Sequence, residues 1–446
     1  MTRKLSIAGL LVGLLGLVMV ASVEASILTN TNQSAAYIRM LSRNASLDVD
    51  AVYYNPAGLV RLSDGWHFAL HNQVIFQDKK INSSFPLLNN PDYVGTIRVP
   101  VYPNLYAVYK KNRLALSFGF GPNAGGGSAK YRTGLPSFEE PIASVRLNLE
   151  SWDLPTSGYD VDIFFKGKSV YLGYQFNAAY SVTDWLSVGA GLRFLQARND
   201  YEGHMYDIRY NIIGMGWVYA YDLFMSMGYH EMANGFADKD VKARETGTGW
   251  TPILSLNVSP WESLTFSLKY EFRTKMELKT KTTVDDFGYL FPDGLVYRYD
   301  VPAILSGGLR YSALPALRFY ASFNYFFDRD ANWEGAENLV QKNTFELGLG
   351  TEYDLNQTIT LSLGYLRTAF NLSEYYQDDL GHELSSDTIG GGARLKISEN
   401  ASLDVGALYV FYKSYTRNFY HNILGTYQRT FDRNTFTLAV GINYKI

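Results

Sequence analysis

Apolar and polar side chains alternate with a two-residue period along most of this chain. In 185–195, Leu186, Val188, Ala190, Leu192 and Phe194 share one face, with Ser187, Gly189, Gly191 and Arg193 on the other. In 264–276, Leu264, Phe266, Leu268, Tyr270, Phe272 and Met276 form a row opposed by Thr265, Ser267, Lys269, Glu271, Arg273 and Lys275. A helix would scatter both classes around its axis, so the period specifies strands. The same alternation runs through Ile359, Leu361, Leu363 and Tyr365, through Leu403 to Phe411, and through Phe436 to Ile446. Fourteen strands are predicted: 66–77, 101–110, 113–120, 169–180, 185–198, 249–258, 264–276, 302–312, 316–327, 343–353, 358–369, 386–396, 402–413 and 434–445.

The connections alternate too. Those at 111–112, 181–184, 259–263, 313–315, 354–357 and 397–401 are short. Between them lie long ones at 78–100, 121–168, 199–248, 277–301, 328–342, 370–385 and 414–433. An even strand count with short turns at one end and long loops at the other predicts an all-β fold, a fourteen-stranded antiparallel transmembrane β-barrel. Short turns and both chain ends then face the periplasm of a Gram-negative cell outer membrane. A soluble sandwich or propeller also uses alternating strands, but neither implies this loop asymmetry.

The first residues fit that location. Arg3 and Lys4 precede an apolar run from Ile7 to Val20, and Val23-Glu24-Ala25 ends in small residues. Residues 1–25 read as a cleaved signal peptide; a retained anchor is the alternative, for which the run is short. The chain has no cysteine, so no disulfide is expected despite export. Beyond the leader no stretch approaches a helical span. The 35 Tyr, 26 Phe and 7 Trp suit membrane interfaces. A net charge of -3 without a basic cluster gives no reason to expect nucleic acid.

Residues 26–65 precede the barrel proper, 66–446. They are too apolar for a tail and short for an independent domain, so they are expected inside the barrel. Their most distinctive stretch is DAVYYNPAGL at 50–59. Together with VTDWLSVGAGLRF at 182–194, VPAILSGGLRYSALPALRFYASFNY at 301–325, NTFELGLGTEYDLNQTITLSLGYLRTAFNLS at 343–373 and DTIGGGARLKISENASLDVGALYVF at 387–411, it resembles the FadL/TodX family of outer-membrane transporters of hydrophobic compounds. The terminal Ile446 departs from the Phe that usually ends an outer-membrane assembly signal.

The resemblance implies a barrel plugged by a small N-terminal helical hatch, capture near extracellular loops, and a hatch movement with a strand-3 kink that opens a lateral route to the membrane. By position, Asn55, Pro56, Ala57 and Gly58 match the hatch motif. Implied cargo is a long-chain fatty acid or aromatic hydrocarbon. Implied surroundings are outer-membrane lipids, lipopolysaccharide and, during biogenesis, the barrel assembly machinery; a monomer is expected.

The capture surface is expected in 199–248, which carries Met215, Trp217, Tyr221, Leu223, Phe224 and Met227; plain loop packing is the alternative. Phe287, Tyr289, Leu290, Phe291, Leu295 and Tyr297 in the next long loop are expected to form its other side. Lys269 and Arg273 share a face with Glu271, so either a carboxylate site or a balanced polar network fits. FGFGPNAGG at 118–126 lacks the following helix of a phosphate loop. His67, His71, His204, His230, His382 and His421 are scattered, and no nucleophile, base and orienter converge, so neither an enzyme, a metal site nor a cofactor is expected. A general porin for polar solutes and a structural or adhesion barrel remain the alternatives to hydrophobic transport.

Overall fold

The computed structural model describes residues 31–446, so the proposed signal peptide lies outside the described residues. The strands are β1 (Gly65–Ser83), β2 (Asp92–Lys111), β3 (Leu114–Tyr131), β4 (Thr156–Ser181), β5 (Leu186–Ile212), β6 (Gly216–Tyr219), β7 (Lys239–Trp261), β8 (Leu264–Glu271) and β9 (Glu277–Asp285). They continue with β10 (Val296–Arg298), β11 (Ile304–Leu314), β12 (Leu317–Phe326), β13 (Val340–Asp354), β14 (Ile359–Leu372), β15 (Ser386–Lys396), β16 (Ala401–Tyr412), β17 (Tyr415–His421) and β18 (Gly425–Lys445). β6 is a short arm folded onto the end of β5. β9 extends β8, because both pair with β7; β17 extends β16, because both pair with β18; β10 leads into β11. Fourteen antiparallel staves result. β1 pairs with β18 from His67↔Lys445 to Ser83↔Arg429, which closes the barrel.

The predicted number and order of staves hold, but several staves are longer than their sequence signal. β4 starts at Thr156 and β5 runs to Ile212. Their outer ends present Asp160, Asp162, Lys166 and Lys168 to the outside, so the apolar half of the alternation vanishes while the ladder continues. The stretch 264–276 needs correction. β7 pairs with β8 down from Ile253↔Glu271 and with β9 up from Thr246↔Lys279. Residues 247–252 thus oppose 272–278, one residue more, and the extra residue inverts the facing, as in a bulge. Met276 is therefore buried inside, whereas Phe272 stays outside.

Outward positions form an apolar belt around the wall. Leu70, Leu116, Phe176, Leu192, Leu254, Leu268, Leu363 and Leu438 are all exposed. Such a continuous belt far exceeds the patches of soluble monomers and is what hydrocarbon covers.

The lumen is filled at the short-turn end by the N-terminal segment. It contains α1 (Ala35–Ile38), α2 (Ala51–Tyr54) and a 3-10 turn, Pro56–Arg61. Ser34 caps α1, accepting from Tyr37 N at 3.0 Å while donating to Asp50 at 2.8 Å. The segment's backbone runs against inner-wall glycines: a side chain at Gly364 would strike Met40 O, and one at Gly406 would reach within 2.8 Å of Arg39 N. Ion pairs complete the contact. Arg39 meets Glu352 at 2.7 Å and Asp404 at 2.9 Å; Arg394 meets Asp404 at 2.9 Å and Asp48 at 3.1 Å; Arg43 meets Asp50 at 2.6 Å. Each of these guanidiniums is thus paired with a carboxylate, as burial requires of Arg39 and Arg43.

Candidate functional site: an apolar pocket, a chamber and an unpaired seam

Three helices stand at the long-loop end: α3 (Pro136–Ser151) between β3 and β4, and α4 (Ala220–Ser226) and α5 (His230–Gly235) between β5 and β7. Ile142, Val145 and Leu149 give α3 one narrow apolar stripe, which joins a core with Met205, Ile208 and Tyr210 of β5 and Phe224, Met232 and Phe236 of the other connection. Polar contacts hold α3 across the barrel mouth. Ser137 N donates to Asp379 Oδ2 at 2.6 Å, and Tyr93 Oη donates to Glu139 at 2.6 Å. Arg429 Nε donates to Glu140 at 3.0 Å, and the same guanidinium meets Asp379 at 2.9 Å.

Beneath these helices lies an apolar pocket of ≈ 570 Å³. Phe138 and Ile142 of α3, Phe165 of β4, Met205 of β5, Met232 and Phe236 beside α5, Phe287 and Phe291 of the β9–β10 connection, and Leu380 line it. This size and lining match small-molecule sites. Its one lining lysine, Lys239, is already engaged: its Nζ donates to Asp286 O at 3.2 Å and lies 5.6 Å from the Phe287 ring.

A second cavity of ≈ 410 Å³ lies deeper and is mixed in polarity. Phe165 and Leu380 border both cavities. Tyr37 and Leu41 of the N-terminal segment line the second, as do Lys79, Glu346 and Arg433. Its side wall is Ile97, Val99 and Tyr102 of β2 facing Gly125, Gly126 and Gly127 of β3. There the wall is unzipped. β2 and β3 pair through Thr96↔Lys130 and not again until Leu105↔Phe120. Local sequence explains this. Pro122 lacks an N–H, Gly125 and Gly126 take φ of 62 and 114, and β3 shifts register against β4 twice between Pro122 and Gly127. Apolar Ile97, Val99 and Tyr102 fill the seam.

The Asn55-Pro56-Ala57-Gly58 motif lies at the opposite end of the lumen, against β5 and β7. Asn55 Nδ2 donates to Asn257 Oδ1 at 2.8 Å and to Ser46 O at 3.1 Å. Ala57 N donates to Ser255 Oγ at 2.9 Å, and Ser187 Oγ donates to Ala57 O at 2.7 Å. Pro56 opens the 3-10 turn, and a Cβ on Gly58 would strike Asn55. The motif is a clasp on the wall, in which Asn55 Oδ1 is a buried side-chain atom without a partner.

Of the expected capture residues, the structure puts Phe291 in the pocket lining. Leu223 and Phe224 are buried in the core behind it, with Met227 against that core. Met215, Trp217 and Tyr221 lie exposed on the β6 arm and α4, away from the cavity. Phe287, Tyr289 and Leu290 do line it. Sequence reasoning did not single out α3, Phe165 or Leu380. FGFGPNAGG at 118–126 was weighed only as a phosphate loop, and the strand-3 kink that the resemblance implies was given no residues.

The charged row on β8 forms a closed network rather than a carboxylate site. Glu271 takes Arg193 at 2.6 Å and Lys269 at 2.5 Å, and Lys269 Nζ also donates to Tyr53 O at 2.8 Å. Arg273 lies outside that network, 3.5 Å from Asp300. His71 is spent on the N-terminal segment, its Nδ1 accepting from Ala35 N at 3.1 Å. Among the described residues no group of three or more His, Cys, Asp or Glu is arranged to hold a metal.

No family model and no curated protein matches this chain. Solved structures do. A Pseudomonas aeruginosa FadL homologue is 15% identical with a TM-score of 0.65, covering 94% of this chain and 99% of that one. The Pseudomonas putida toluene transporter TodX is 14% identical with a TM-score of 0.59, covering 94% and 100%. The Ralstonia pickettii toluene transporter TbuX is 17% identical with a TM-score of 0.55, covering 89% and 94%. At these identities the likeness establishes a shared architecture: this chain has the plugged fourteen-stranded barrel fold of those proteins.

Proposed function

We propose that this chain carries hydrophobic small molecules across the outer membrane of a Gram-negative bacterium. The observation that carries this reading is the arrangement of the two cavities. An apolar pocket under the outer helices meets a deeper chamber at Phe165 and Leu380, and that chamber borders the unpaired stretch of β2 and β3. The N-terminal segment acts as the hatch and blocks the straight path below. A compound entering from outside therefore leaves sideways into lipid and never returns to water. Each methylene kept from water is worth about 0.8 kcal/mol, so graded sites and a nearby exit favour release. The solved proteins of the same fold, described as a FadL homologue and toluene transporters, support the reading. Asn55, Pro56, Ala57 and Gly58 serve as the clasp that lets the hatch shift as a unit. The β6 arm and α4, with Met215, Trp217 and Tyr221, offer a first apolar contact above the pocket.

Uptake of labelled palmitate, toluene and a small sugar by proteoliposomes tests this, against empty liposomes. Selective entry of either apolar compound supports the reading; sugar entry alone rejects it for a porin. The cargo's head group is then read through Lys79, which lines the chamber and has no acid within salt-bridge distance among the described residues. Lys79→Gln is expected to cut palmitate uptake about tenfold and leave toluene uptake unchanged, if the cargo is a carboxylate. Equal effects on both compounds would remove Lys79 from that role.

A further inference from the structure

The outer wall carries a second feature that transport does not use. On β4, β5 and β7 the outward residues Tyr174, Phe194 and Trp250 sit side by side, with ring centroids 6.2 and 4.9 Å apart. Trp185 marks the other edge of the belt, nine positions earlier on the same chain. At roughly 3.4 Å per residue and ~40° of tilt, the two levels are about 23 Å apart, the height of an outer-membrane apolar band. Tyr174, Phe194 and Trp250 thus mark the interface at the long-loop end.

Immediately beyond them the wall turns cationic. The register sets Lys168, Asp200, Arg244 and Lys281 in one rung across four strands, with Lys242 in the rung outside it and Arg198 and Lys279 in the rung inside it. Asp200 is shared by Arg198 at 2.8 Å and Arg244 at 2.7 Å, and the only other acid on these rungs, Glu202, takes Lys166 at 2.9 Å. Lys168, Lys242, Lys279 and Lys281 are exposed and have no ion pair among the described residues. Beside this cluster a shallow depression of ≈ 870 Å³ runs over β4, β5 and β7 and reaches Glu277 at the start of β9. Val170, Leu172 and Ala197 line the depression, Lys168, Arg198 and Arg244 border it, and Glu277 is the one carboxylate at its edge, so the cations there outnumber the acid three to one.

The geometry points to a binding site for a phosphorylated glycolipid of the outer leaflet, its acyl chains along the apolar strip and its phosphates on the lysines. The height decides between occupants. Arg198 lies four residues beyond Phe194, about 10 Å above the aromatic row, where lipid phosphates lie rather than acyl chains or bulk solvent. Charge decides the rest: Asp200 and Glu202 orient three cations, and the four lysines left over match a head group with two phosphates. The inference rests on the outer-membrane reading above.

The test uses the full mature chain in nanodiscs of a zwitterionic phospholipid, titrated with a bis-phosphorylated disaccharide lipid or its dephosphorylated form and read by native mass spectrometry. The phosphorylated form is expected to bind at least tenfold tighter, with the preference shrinking as salt rises. Lys168→Gln/Lys242→Gln/Lys279→Gln/Lys281→Gln is expected to erase that preference. Equal binding of the two forms, or an unchanged preference in the variant, overturns the site. Lys168→Gln/Lys281→Gln, a milder pair in the middle rung, is run beside it, and folding is followed by heat-modifiable gel mobility. Palmitate and toluene uptake are measured in proteoliposomes made from the same protein preparations. Lost uptake with intact glycolipid preference counts against the transport reading alone, whereas intact uptake without preference counts against this site alone.

Discussion

Asn55 shows how a single side chain can be both readable and misleading. Its Asn-Pro-Ala context drew attention to the N-terminal segment, yet nothing local revealed that its amide would bond Asn257 on the adjoining wall. Asn55→Ala leaves Asn257 Oδ1 and Ser46 O without that donor, at a cost of about 1–3 kcal/mol. The expected result is ten- to hundredfold faster amide exchange at Ala57, whose N–H is held by Ser255, with barrel gel mobility unchanged. Asp328 is a different case, in the loop after β12. Burial raises its carboxyl to about 6, and Thr344 N donates to its Oδ2 at 2.8 Å. Between pH 4 and 6 the unfolded chain has released this proton and the native loop still holds it, so native stability falls as pH rises across that window and is flat above it. The difference is roughly 3 kcal/mol. Amide exchange around Thr344 should therefore be slower at pH 4 than at pH 7 once corrected for intrinsic rate. Asp328→Asn should abolish that difference; a variant that keeps it would assign the effect elsewhere.

At the scale of elements, alternation was sufficient to count and order the staves, because every membrane-crossing stretch must show lipid on one side and lumen on the other. It failed where that requirement stops. β4, β5 and β7 run past the belt with charges outside, and their outer halves read as loop. α3 was hidden in 121–168 because Pro141 interrupts it and Ile142, Val145 and Leu149 make only a thin stripe. Phe165 was hidden for the opposite reason: one inward aromatic in a strand looks like any other, and its meeting with Leu380 depends on Asp379 being held by Arg429. The seam between β2 and β3 was half legible, since Pro122 and the glycines at 125–127 announce a break without saying what lies behind it. The exit proposed there can be tested by closing the seam. A Cβ at Gly127 would stand 2.5 Å from Ile97 Cγ2 and 3.9 Å from Ile97 Cβ, a disulfide spacing once the Ile97 methyl is removed, and the chain has no cysteine to interfere. Ile97→Cys/Gly127→Cys is expected to cross-link the two strands on oxidation and reduce uptake of the apolar compound at least tenfold, with recovery on reduction. Full uptake in the verified cross-linked form would place the exit elsewhere.

At the scale of the whole molecule, the question is why the hatch stays in place yet is not welded to the wall. Glycines at 350, 364 and 406 let its backbone lie flat on β13, β14 and β16, so contact is extensive. Buried ion pairs lie within that contact. Arg39 is fully buried and neutralised by Asp404 and Glu352, but each of those acids also has a wall arginine: Arg394 at 2.9 Å and Arg318 at 3.2 Å. Were the N-terminal segment displaced, the wall acids would not be left bare, because Arg394 and Arg318 would still meet them. Breaking a buried pair by removing one partner typically costs 3–5 kcal/mol. Here the second arginines lower that figure for the acids left behind, so Arg39→Gln should weaken docking by about 1–3 kcal/mol without collapsing the barrel. The hatch would then be displaced roughly ten- to hundredfold more often. In planar bilayers the wild-type barrel is expected to stay closed to small ions, whereas Arg39→Gln shows bursts of conductance. Arg318→Gln, which removes a wall partner but keeps the hatch guanidinium bound to both acids, should stay closed. If the two variants conduct alike, the hatch is held by packing against the glycines and the ion pairs serve only to neutralise charge.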